Sequence, residues 1–125
     1  MTTICFDKPC ALLSLNDRLH WAEKGRRSRA WRTATAAAAI QVLGPPSKRR
    51  QPRSLVTVTL PVRSNKTKRD AHNYFATVKP IIDGLVDAGC WPDDDGEWVV
   101  TAEPRFRVNG AVTVELTPMP AEVAA

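Results

Sequence analysis

Between Lys24 and Arg69 the chain has no acidic residue, although thirteen lysines and arginines lie in that stretch. A run this one-sided argues against a self-paired neutral surface, and with a formal net charge of +5 it suggests a polyanion partner. The plainer alternative is a set of solvated loops and a charged helix face. Cysteine is also scarce: Cys5, Cys10 and Cys90 are odd in number and form no CxxC pair. That argues against a disulfide framework, and the spacing of Cys5, Cys10 and His20 fits no recurring zinc pattern. The three thiols are read as small buried hydrophobes. Long apolar runs are missing as well, since no stretch nears the ~20 residues of a membrane span. The N-terminus lacks a basic segment leading into an apolar core. These absences predict a cytoplasmic protein with no membrane partner.

What is present is a chain of 125 residues, 43% hydrophobic and 25% charged, the profile of one globular domain over 1–125. Residues 118–125 are expected to form a flexible tail. A short strand is predicted near Thr3 to Phe6. A helix follows over SRAWRTATAAAAIQVL, with Ser28 as its cap, Trp31, Ala34, Ala38 and Val42 on one face, and Gly44-Pro45-Pro46 as its stop. Bases in and before its first turns oppose the helix dipole, which hints at an anion there. SLVTVTLPV alternates β-branched and apolar residues and reads as a strand.

From Ala71 to Val86 the apolar residues keep helical phase, with Pro80 on the polar side as a predicted bend. Lys79, Asp83 and Asp87 recur every four residues along that polar side. EWVVTAEPRFR and AVTVELTPM read as two strands joined by a hairpin at Asn109-Gly110. The resulting order, strand-helix-strand-helix-strand-strand, predicts a small α+β domain with a mixed sheet carrying the helices.

Charge reverses after Arg69. From Asp70 to Glu97 there are seven acids, three of them consecutive at Asp93, Asp94 and Asp95, against the single base Lys79. Clustered carboxylates are hard oxygen donors suited to Mg²⁺ or Mn²⁺. A helix of about 18 residues separates Asp70 from the aspartate run, so opposite helix ends would hold them about 25 Å apart. A single site requires the chain after Cys90 to fold back along the helix. Otherwise DDDG is an acidic surface turn and Asp70 a helix cap.

Taken in order, RDAHN at Arg69 to Asn73, the helix with Lys79 and Asp83-Gly84-Leu85, and DAGCWPDDD resemble the RusA family of Holliday junction resolvases. The likeness is clearest from Pro61 to Arg107, and SLNDRLHW resembles the Asn/Arg-containing N-terminal loop of phage-type members. The resemblance implies a homodimeric, Mg²⁺-dependent endonuclease of four-way DNA junctions in a bacterial or phage-infected cell. It assigns Asp70 and Asp94 as metal-binding and catalytic, with Lys79 assisting. Asp93 or Asp95 could supply a further oxygen ligand, His72 is either an imidazole ligand, which suits Mn²⁺ better than Mg²⁺, or a bystander, and Asp83 and Asn73 are supporting residues. DNA contacts would come from Asn16, Arg18, Lys24, Arg26, Arg27, Arg29, Lys66, Lys68 and Arg69.

The chain departs from the family pattern in two places. His72 stands where RDxDN has its second aspartate, and the Asn73 to Asp83 interval is about one helical turn longer. With one hard ligand replaced, the alternative is a structure-selective DNA-binding protein with weak or no cleavage. A third reading is a related nuclease acting on flaps or forks, in which Trp21, Trp31, Trp91 or Trp98 stacks on unpaired bases.

Overall fold

The computed structural model describes residues 1–66 and 68–120. Its elements are β1 (Thr2–Phe6), α1 (Trp21–Leu43), the short α2 (Pro46–Arg49), β2 (Ser54–Val62), a 3₁₀ turn (Ala71–Tyr74), α3 (Phe75–Asp87), β3 (Val99–Thr101), β4 (Arg105–Val108) and β5 (Val112–Pro118). The five strands form one mixed sheet in the order β1-β5-β2-β3, with β4 also on β2. The domain is therefore α+β with a mixed sheet, as predicted, but it has one strand more than the predicted order, because EWVVTAEPRFR, read as a single strand, is broken at 102–104 into β3 and β4.

β2 is the organising strand. It pairs antiparallel with β5 on one side and parallel with β3 and then β4 on the other. Val56, Val58 and Leu60 alternate along it and join Ile4, Val112, Val114 and Leu116 in a core closed by Trp31, Val78, Ile81 and Leu85 of the helices. The opposite register carries Thr57, Thr59 and Thr113. Pro61 has no N–H for a ladder, and it lies beyond Thr59, the last β2 residue paired with β5.

The strand pairing overturns the expected hairpin. β4 and β5 do not pair with each other; each lies against β2, on opposite sides. Asn109 (φ 61) and Gly110 (φ 99) do adopt the left-handed conformation that suits this dipeptide. Here it carries the chain across the end of β2, held by Asn109 N–H donating to the Val62 carbonyl at 2.9 Å. Local turn chemistry was legible, but which strands the turn separates is a long-range matter.

α1 begins at Trp21, seven residues before the expected Ser28 cap. His20 is the N-cap, its Nδ1 accepting from Ala22 N–H at 3.1 Å. Gly25 disfavours a helix locally, but Glu23 offsets it by pairing with Arg26 at 2.5 Å and Arg27 at 2.9 Å. The acid in the first turn is thus Glu23, and Arg26, Arg27 and Arg29 lie beyond it, so the dipole conflict that hinted at an anion disappears. The buried face is Trp31, Thr35, Ala38 and Ala39, whereas Val42 is exposed.

α1 and α3 cross in close contact at Gly84, where a Cβ would sit 2.5 Å from the Arg32 carbonyl oxygen and 2.9 Å from Thr35 Cβ. Arg32 also bridges the helices, with Nε 2.5 Å and a terminal nitrogen 2.7 Å from the Asp87 carboxylate. Asp87 is thereby spent on helix docking. Pro80 is buried inside α3, contrary to the polar-side expectation, and the change of helix type falls at Tyr74–Phe75.

Two further expectations are corrected. Cys5 is exposed and Cys10 partly so, and only Cys90 is buried. The start of the expected tail is anchored, because Met119 N–H donates to the Arg53 carbonyl at 2.8 Å and Arg53 donates to the Pro120 carbonyl at 3.1 Å. Residues 121–125 lie outside the described residues. No helix among the described residues is long and apolar enough to cross a membrane.

Candidate active site

The chain does fold back after α3. Gly89 (φ 91) ends the helix, and Cys90 N–H donates to the Leu85 carbonyl at 3.1 Å. The Cys90 carbonyl accepts from Gln51 N–H at 2.8 Å, and buried Trp91 donates its indole N–H to the Pro52 carbonyl at 3.0 Å. These bonds tie the return loop to the segment entering β2. Asp94 is carried back along α3 by eight residues from Asp87, about 12 Å of helix, and there its carboxylate meets the ammonium of Lys79.

Lys79 is held at a fork. Its Nζ also lies 3.0 Å from Asp83 Oδ1, one turn further along the same helix. The two carboxylates, Asp94 foremost, raise the Lys79 pKa above its ordinary value, and Lys79 in turn lowers that of Asp94. Lys79 and Asp94 thus favour each other's charged form.

The neighbouring aspartates shape the turn. Asp93 Oδ1 accepts from Asp94 N–H at 2.7 Å, and Asp95 Oδ1 accepts from Glu97 N–H at 3.0 Å. Asp70 caps the 3₁₀ turn, its Oδ1 accepting from His72 N–H at 3.1 Å. His72 is exposed, its ring 5.7 Å from that of Phe75.

The N-terminal loop is zipped onto this region. Leu15 N–H donates to the Asn73 carbonyl at 2.8 Å, and buried Thr77 Oγ1 exchanges two 2.7 Å hydrogen bonds with the Leu13 backbone. Two of the segments that carried the resemblance, SLNDR and RDAHN, therefore lie side by side. Thr77 is a residue that sequence reasoning missed, and its spacing offered no signal.

The expected site residues thus fall into two groups. Lys79, Asp83 and Asp94 are joined by ion pairs; Asp70 caps the 3₁₀ turn that carries His72 and Asn73 into α3. Among the described residues no three His, Cys, Asp or Glu side chains come together as a metal site. The donor chemistry still fits Mg²⁺, which takes only one or two protein carboxylates and fills its shell with water and phosphate oxygens.

Of the expected DNA contacts, Arg26 and Arg27 are paired with Glu23. Asn16, Arg18, Lys24, Arg29, Lys66 and Lys68 are exposed, and Lys24 lines a cleft of about 260 Å³ with Ser14, Ser28 and Ala76. Arg69 donates to the Ser64 carbonyl at 2.8 Å and lies over the Phe106 ring. Trp31 and Trp91 are core residues, Trp98 is covered by Arg50 at 4.8 Å, and Trp21 stands open to solvent, 79% exposed.

Fold and site together define a small α+β domain with a lysine held between two acids on one helix and its return loop. Comparison with protein-family models, with curated proteins and with solved structures finds no match to this chain.

Proposed function

We propose that the protein is a metal-dependent endonuclease of branched DNA, acting on four-way junctions as a homodimer. The observation that carries this reading is the meeting of Lys79 with Asp94, 15 residues apart in sequence, because it joins the helix lysine to the aspartate of the return loop. The resemblance to the RusA family names those same two residues. In this reading Asp70 and Asp94 would hold Mg²⁺, which would supply charge neutralisation and an activated water for phosphodiester hydrolysis.

The chain's own contributions are electrostatic and positional. Lys79 is kept protonated by Asp94 and Asp83, so it is ready to stabilise negative charge developing on a phosphate oxygen. The exposed bases of α1 and of the loop before Asp70 hold the strands by their phosphates, so binding weakens as salt rises. A two-fold dimer matches the two symmetry-related strands of a junction.

The test is incubation of the purified protein with a labelled four-way junction and with linear duplex, in Mg²⁺, in Mn²⁺ and in chelator. Junction-selective cleavage that disappears in Asp70→Asn and in Asp94→Asn, with binding retained, is the expected result. Tight junction binding without product in either metal would instead establish the second reading, a structure-selective DNA-binding protein. That reading is favoured by His72 in place of an aspartate and by the lack, among the described residues, of three ligating side chains that come together.

A further inference from the structure

β1 and β2 both run antiparallel to β5, so they point the same way. β4 runs parallel to β2 and shares that direction. The C-terminal ends of three strands therefore open at one end of the sheet. Lys8 follows β1 by two residues and Arg63 follows β2 by one, so the topology delivers both cations there.

Two adjoining clefts occupy this end. One, of about 280 Å³, is lined by Lys8, Arg63 and Arg69 together with Asp17 and Tyr74. The other, of about 140 Å³, shares Lys8 and Arg63 and runs on to Asn109 and Gly110. Lys8 and Arg63 are exposed and form no ion pair among the described residues. Asp17, the one acid in these linings, bonds Ser14 N–H at 2.8 Å. Arg63 belongs to the thirteen-base stretch read as facing a polyanion, whereas Lys8 lies outside it, and neither was among the individually named DNA contacts.

We propose that this groove is a phosphodiester track, in which Lys8 and Arg63 hold the backbone phosphates of a nucleic-acid strand. The inference rests on the nuclease reading for its partner and deepens it: the groove begins at Arg69, the residue before Asp70, so a strand held there is led toward Asp70. Leu12, Pro61 and Val62 also line the cleft, and among them the two cations without an ion pair are the groups that select phosphate charge over base identity. The track therefore binds without sequence preference.

The experiment is fluorescence anisotropy of a labelled four-way junction in chelator, titrated over salt, with wild type, the double variant Lys8→Gln/Arg63→Gln, and Lys48→Gln, whose side chain lines neither cleft. The double variant should bind about tenfold or more weakly, with a log-log salt slope shallower by about two per subunit, about four for the dimer, since each lost phosphate contact removes about 0.9. Lys48→Gln should keep wild-type behaviour. Equal affinity for wild type and double variant, or an equal loss in Lys48→Gln, would overturn the track. Failure of wild type to bind any junction would overturn the nuclease reading instead. ³¹P line broadening of inorganic phosphate then decides the groove alone: broadening by wild type and not by the double variant supports a phosphate site, and no difference between them removes it. Circular dichroism melts confirm that the variants fold.

Discussion

Lys79 on α3 and Asp94 on the loop that follows it form an ion pair, with Asp83 completing a fork around the ammonium at 3.0 Å. The pair is partly exposed, so its value to stability is that of a surface bridge, about 0–1 kcal/mol. Its importance is positional, because it is the contact that holds the return loop against the helix.

The pH behaviour of this fork follows from the two shifts. Asp94 has a lowered pKa, so its contribution is complete above the ordinary carboxylate value of 3.8 and is lost as pH falls through the lower folded value. Lys79 has a raised pKa, so its contribution is complete below 10.5 and is lost as pH rises through the higher folded value. The Lys79–Asp94 pair should therefore stay charged from about pH 5 to pH 9. Carboxyl NMR should show Asp94 titrating below an ordinary aspartate, and Lys79→Met should move it back up. In that variant junction cleavage should fall by about 10²–10³, the usual cost of one lost transition-state donor. Unchanged cleavage would remove Lys79 from the catalytic set.

Asp70 combines a cap with a charge, and two substitutions separate them. Asp70→Asn keeps an acceptor for His72 N–H, so urea denaturation should show a change within about 0.5 kcal/mol, while Asp70→Ala should lose about 1 kcal/mol. Junction cleavage should be abolished in both. A fully active Asp70→Asn would leave Asp70 as a cap and nothing more.

Gly84 is where the two helices touch. Gly84→Ala should destabilise the protein by about 1–3 kcal/mol, because the new methyl meets backbone of α1 that cannot rotate away. Chemical denaturation gives the number, and a variant as stable as wild type would mean that the helices cross farther apart.

The thiols should differ sharply in reactivity. Burial pushes the Cys90 pKa up to about 12, and Cys5 is exposed. The thiolate is the nucleophile, so iodoacetamide near neutral pH should label Cys5 and leave Cys90 intact until denaturant is added, as read by peptide mass mapping. Early labelling of Cys90 would contradict its burial.

Much of the fold was legible in the residues. The SLVTVTLPV strand has its expected bounds, Gly44 ends α1, and the apolar phase from Val78 to Leu85 faces the core. Starts were harder to read than stops. Gly25 masks the first turns of α1, since its helical cost is local while the Glu23 pairs that offset it span three and four residues. Pro80 was assigned to the wrong face because its place in the helical phase does not reveal what packs over it.

The sequence alone determines the local elements and the spacing of Lys79 and Asp83, since periodicity, caps and turn residues act over a few positions. It also determines the segregation of charge. Which strands flank β2, and therefore why Asn109-Gly110 joins two strands that never pair, was settled by contacts far apart in the chain. So was the meeting of Asp94 with Lys79, which depends on Trp91 reaching the carbonyl of Pro52, 39 residues earlier. Burial of one indole beside β2 sets the course of the return loop, and no spacing rule within the loop encodes it.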